Sequence, residues 1–163
     1  MLALLIGQPY AVLAFPEFWR QVAEQGAMVR NAGSLPYTIQ YVGVPKYAYD
    51  LWQMAVWGMG PPLGAAALWA TGRALWRLRE VRTTGALVLA AWVVPYVLLI
   101  GAFDVKYPRY LLPVYPLLIL WAAAWLWDAR ATRAGRVLFR ATCLGTAVVA
   151  LAFIGADLAG TAV

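Results

Sequence analysis

The chain has no histidine and one cysteine, Cys143, among its 163 residues. Without histidine it lacks the usual general base near neutral pH and the commonest metal ligand. A single cysteine inside an apolar run excludes an internal disulfide and a cysteine metal cage, and Cys143 reads as a small buried hydrophobe. Charge is also scarce. Only 12% of residues are charged, and the seven carboxylates are outnumbered by thirteen lysines and arginines. Acid–base chemistry would therefore fall to a few carboxylates, lysine or tyrosine. The opening Met1-Leu2-Ala3-Leu4-Leu5-Ile6 has no cation before it and stops at Gly7, unlike a secretory signal. It reads as the last turns of a spanning helix, so the chain is expected to be a portion of a longer protein.

What is present is apolar. Hydrophobic residues make up 64% of the chain, well beyond a soluble domain. A formal charge of +6 would suggest nucleic acid in a soluble protein, but eight of the eleven arginines fall in two clusters beside uncharged runs. One cluster is Arg73, Arg77, Arg79 and Arg82; the other is Arg130, Arg133, Arg136 and Arg140. The basicity therefore encodes membrane topology, with both clusters cytoplasmic, and no nucleic-acid partner is expected.

The expected fold is all-α: a polytopic membrane helix bundle with four full transmembrane helices plus a partial N-terminal one, and an outer-face amphipathic helix and loop. The four runs are residues 51–72, 86–103, 110–127 and 141–156, the last extendable through Leu158. Gly58, Gly60, Pro61, Pro62 and Gly64 are expected to kink the first of these. The domain reading is a single membrane domain over residues 1–163, with an extracytoplasmic loop at 7–50 and a four-helix region at 51–163. The expected location is the bacterial inner membrane, multi-pass.

Within the 7–50 segment, Pro16 opens a helix in its first turn. Phe18, Trp19, Val22 and Val29 form an apolar stripe against Arg20, Glu24, Gln25 and Arg30, and residues 31–34 stop it. Residues 35–49 read as an ordered loop, punctuated by Pro36, Gly43 and Pro45. Its Tyr37, Gln40, Tyr41, Lys46 and Tyr47 could line a polar substrate such as a sugar; the same tyrosines could equally be interface anchors.

The short link between the second and third runs carries two cations among aromatic rings: Lys106, Tyr107, Arg109 and Tyr110. Such a turn can hold an anionic lipid head group between charge and ring. Tyrosine with lysine or arginine at the end of a spanning helix is also an ordinary anchor, and composition leaves both readings open. If both arginine clusters are cytoplasmic, the 7–50 loop and this turn share the outer face.

Lys106, Arg109-Tyr110-Leu111-Leu112-Pro113 and Pro116 resemble the K-x-x-R-Y-L-L-P-x-x-P segment of membrane glycosyltransferases of the GT-C superfamily. The protein mannosyltransferases of family 39 and the aminoarabinose transferases of lipid A are the most similar groups. The 35–47 stretch and the 57–64 stretch are similar to bacterial members, and the resemblance covers roughly residues 9–123. It implies a transferase using a polyprenyl-phosphate-linked sugar on the extracytoplasmic face. Lys106, Arg109 and Tyr110 would contact the lipid phosphate, and Tyr37, Gln40, Tyr41, Lys46 and Tyr47 the substrate. In such enzymes the base is a carboxylate of the first outer loop, which this sequence does not contain. The chain alone would be inactive, and its partners would be membrane lipid, the lipid-linked sugar and the missing N-terminal helices. Sugar, acceptor and any divalent-metal dependence are left open. The competing reading is a non-catalytic helix-bundle protein or a polyprenyl-lipid transporter subunit, although the spans lack the mid-membrane charges a transporter would use.

Overall fold

The computed structural model describes residue 7 and residues 9–78 and 84–161, and among these every regular element is helical. The chain divides into two compact units. The first comprises Met1–Pro45 with Phe103–Lys106; the second comprises Lys46–Ala102 with Tyr107–Val163.

In the first unit a short helix α1 (Tyr10–Leu13) leads into α2 (Phe15–Arg30), which has proline in its first turn. Glu17 lies in that turn and Arg30 in the last, signs that complement the helix dipole. The Arg20 guanidinium donates to both Glu17 carboxylate oxygens and lies 3.6 Å from Glu24. The Arg20 contact holds the Glu17 carboxyl below its ordinary pKa. Phe18 and Val29 are partly covered, whereas Trp19 and Val22 face outward. The helix stops at Asn31, whose side-chain oxygen accepts from the Gly33 amide at 3.0 Å. At this end the Val29 carbonyl, which the helix itself leaves without a partner, accepts from the amides of Asp104 and Val105 at 3.0 and 3.1 Å. The Phe103–Lys106 strap is thereby fixed to the end of α2.

The second unit contains α3 (Ala48–Trp52), a π-helical segment (Gln53–Gly58), α4 (Pro61–Arg77), α5 (Thr84–Gly101), a 3-10 turn (Pro108–Leu111), α6 (Tyr115–Ala129) and α7 (Arg133–Thr161). Its core joins Met54, Ala67, Ala70, Val93, Leu111, Val114, Leu118, Trp121 and Ala122. Alanines on α4 let α6 approach closely, as small residues do where helices pack in an apolar medium. Two glycines are required by such approaches. A Cβ on Gly64 would collide with the Ala55 backbone, and one on Gly58 with the Tyr115 ring. The turn from α6 to α7 is as tight. The Thr132 hydroxyl accepts from the Gly135 amide at 3.0 Å and so caps α7, and a Cβ on Gly135 would strike the Ala129 carbonyl.

The expectation of four complete spans with a partial fifth is overturned, and with it the multi-pass reading. Among the described residues one helix, Arg133–Gly160 within α7, is long and apolar enough to cross a membrane. The reason lies in the backbone breaks inside the apolar runs. Run 51–72 is not a kinked helix. Its opening turns pass into a π segment, where the Met59 amide reaches back to the Met54 carbonyl; Gly60 then takes φ 78°, and α4 starts afresh at Pro61. Run 110–127 opens with the 3-10 turn, leaving α6 only 15 residues. Run 86–103 forms α5, whose apolar part Gly85–Gly101 falls short of a crossing. The last run instead gains two turns at its start and becomes the 29-residue α7, about 43 Å long. The partial N-terminal span and the cations Arg79 and Arg82 lie outside the described residues. Cys143, expected in the interior, is exposed on α7.

The outward surface of this second unit is strongly apolar. Trp52, Trp57, Trp69, Trp76, Trp92 and Trp127 are each more than half exposed, as are Leu144, Leu151 and Leu158 on α7. Apolar exposure on this scale marks a surface that an apolar medium or partner covers.

Candidate functional site

The strongest candidate is built on the 3-10 turn Pro108–Leu111 of the second unit. Pro108 fixes the entry to the turn, and Leu111 and Val114 sink into the core at 2% and 0% exposure. From α5, the Tyr96 hydroxyl donates to the Tyr110 carbonyl at 2.6 Å. These attachments leave Arg109 pointing outward between two rings. Its guanidinium carbon lies 4.7 Å from the Tyr107 ring centre and 5.6 Å from that of Tyr110. The rings meet edge to face at 5.3 Å. Contact with the ring faces restricts the arginine, yet it makes no ion pair among the described residues, so its donors remain for an anion.

Below the turn, Tyr115 begins α6 against Gly58 of the π segment. Burial pushes its phenol above the ordinary tyrosine pKa. Among the described residues no group of histidine, cysteine or carboxylates could hold a metal ion.

The other expected site residues are distributed as follows. Lys106 belongs to the first unit, is only 2% exposed and is already engaged in an interaction. It does not offer a surface charge beside Arg109. Tyr37, Gln40 and Tyr41 belong to the first unit as well. Tyr37 is well exposed, and the Gln40 amide donates to its carbonyl at 3.3 Å. Thr38 between them is buried with its hydroxyl 2.7 Å from the Ala32 carbonyl and anchors the loop. Lys46 and Tyr47 fall in the second unit. Tyr47 adopts φ 60°, rare for a non-glycine residue, packs its ring on Gly101 and donates its hydroxyl to the Leu98 carbonyl at 3.3 Å. That geometry gives it a structural task, closing the end of α5.

Reasoning from sequence missed Tyr96. A tyrosine directly after Pro95 within an uncharged run is the available signal, because its hydroxyl needs a partner in apolar surroundings. No protein-family model, curated protein or solved structure matches the chain.

Proposed function

We propose that this chain is part of an integral-membrane glycosyltransferase that moves a sugar from a polyprenyl-phosphate donor to an acceptor on the extracytoplasmic face of a bacterial inner membrane. In this portion Arg109, set between Tyr107 and Tyr110, grips the lipid phosphate. The observation that carries the reading is the geometry of Arg109: a guanidinium with no ion pair among the described residues, held between two rings on a turn fastened to the core. The likeness of residues 106–116 to the GT-C segment supports the reaction class.

Breaking the bond from the sugar C1 to the lipid phosphate builds negative charge on that phosphate. A fixed cation in poorly hydrated surroundings stabilises the charge most where it develops. The guanidinium fork can hold two phosphate oxygens at once, whereas a lysine would be a point charge. This chain supplies the contact to the lipid phosphate through Arg109. Helix α7 anchors the portion in the bilayer, and the exposed tryptophans of the second unit suit lipid or neighbouring helices.

The test is Arg109→Gln in the full-length enzyme, with transfer from radiolabelled polyprenyl-phosphate sugar as the readout. Transfer should fall about a hundredfold, the scale for removing one fixed charge stabiliser, with insertion unchanged. Normal transfer by the variant would reduce Arg109 to an interface anchor and favour the non-catalytic reading.

A further inference from the structure

A second site lies at the opposite end of the second unit. The α6–α7 turn, Arg130 to Thr132, puts the last turn of α6 level with the first turn of α7. Arg133, Arg136 and Arg140 lie in the first turns of α7, ahead of its uncharged stretch, and so mark the level where hydrocarbon gives way to head groups. At this level a cavity of about 570 Å³ opens between α4 and α6, with Arg73 and Arg77 on one wall, Trp121, Ala124, Trp125 and Asp128 on the other, and Ala86 at the start of α5 beside them. A second hollow of about 510 Å³ lies on the other flank of α4 and is lined by the same two arginines.

The arginines at this end are not equivalent. Arg130 stacks on Trp127 and donates to its carbonyl, and Arg136 donates to the Arg130 carbonyl at 3.2 Å; both serve the turn. Arg73 and Arg77 are one helical turn apart, so their side chains share a face of α4. Both are exposed, and neither has a hydrogen-bond, ion-pair or ring partner among the described residues. Two guanidiniums without a partner among the described residues, over a wall of alanine and tryptophan, match an amphiphile with an anionic head and an apolar tail.

We infer that the α4–α6 cavity binds an anionic glycerophospholipid with a hydroxylated head, of the phosphatidylglycerol type. The diester phosphate lies between Arg73 and Arg77, the head-group hydroxyls donate to Asp128, and one acyl chain follows Ala124 and Trp121. Asp128 selects within the class. Among the described lining residues, two guanidiniums and one carboxylate leave a single positive charge, which one phosphate diester neutralises, and the carboxylate would repel a head carrying a second negative charge. The site is independent of the transferase reading, which concerns the Arg109 end.

The test uses the full 163-residue chain in detergent, titrated with phosphatidylglycerol and read by native mass spectrometry. Arg73→Gln/Arg77→Gln should weaken retention at least about tenfold, the scale of losing one charge-assisted contact. Arg133→Gln/Arg140→Gln, which removes equal charge near the same end, should leave it unchanged. Ala124→Phe fills the apolar half with all charges kept, and should lower retention of long-chain lipid while sparing short-chain lipid; this readout stands even if the arginine variant fails to fold. Equal loss in both arginine pairs would mean attraction by net charge alone and overturn the proposal. So would displacement of the lipid by inorganic phosphate at equal concentration, which would make the site one for a soluble anion. Equal retention of phosphatidylcholine would remove the role given to the head group and overturn it as well.

Discussion

Replacing Gly64 by alanine sets two effects of opposite sign against each other. Alanine is a better helix former than glycine by about 1 kcal/mol, so the change should stabilise α4 where there is room. At Gly64 there is none, because the new Cβ would meet the carbonyl oxygen, Cα and carbonyl carbon of Ala55. These are backbone atoms that cannot rotate away, so α4 and the π segment must move apart. Overpacking of this kind costs about 1–3 kcal/mol, and with backbone on the other side the upper end applies. The net effect is a loss of about 2 kcal/mol. Gly72 is the matched control, since it lies in the same helix with nothing within 4 Å of its Cβ position. Gly72→Ala should keep the propensity gain, roughly 0.5–1 kcal/mol. Thermal unfolding of the chain in detergent, followed by circular dichroism at 222 nm, should therefore move in opposite directions for the two variants. A Gly64→Ala variant that melts with or above Gly72→Ala would refute the close packing of α4 on the π segment.

Tyr96→Phe leaves the Tyr110 carbonyl without its donor at the edge of the core, a loss of about 1–3 kcal/mol. It should raise the protease sensitivity of the Pro108–Leu111 turn without lowering the helix content of α7; unchanged cleavage there would mean that the hydroxyl does not hold the turn. The Glu17 carboxyl, held below its ordinary pKa by Arg20, contributes helix stability that is present above its unfolded pKa and lost as pH falls through the lowered folded value. The helicity of a peptide spanning α2 should accordingly drop on acidification below the usual glutamate range, and Glu17→Gln should abolish that drop. Because the pair lies at the surface, salt should weaken it.

Much of the local structure is legible in the sequence. The 3.6-residue pattern and Pro16 mark α2, and Asn31 and Gly33 its end. What hydropathy cannot reveal is whether an apolar run is one helix. Gly60 and Pro61 are compatible with either a kink or a restart; the positive φ at Gly60 and the close fit of Gly64 on Ala55 decide for the restart. Pro108 and Pro113 likewise divert the chain through a 3-10 turn before α6. At the site, the Arg109–tyrosine pairing follows from adjacency in sequence and is found. The burial of Lys106 depends on the strap hydrogen-bonded to Val29, some 75 residues distant, which no local pattern encodes.

The central claim is that Arg109, rather than the neighbouring Lys106, offers the anion-binding charge. Binding of a fluorescent polyprenyl phosphate to the chain in nanodiscs, measured with and without Arg109→Gln, tests it most directly. The account predicts a loss of at least about tenfold in affinity for the variant, the scale of a charge-assisted contact. Equal affinity in both proteins would contradict it.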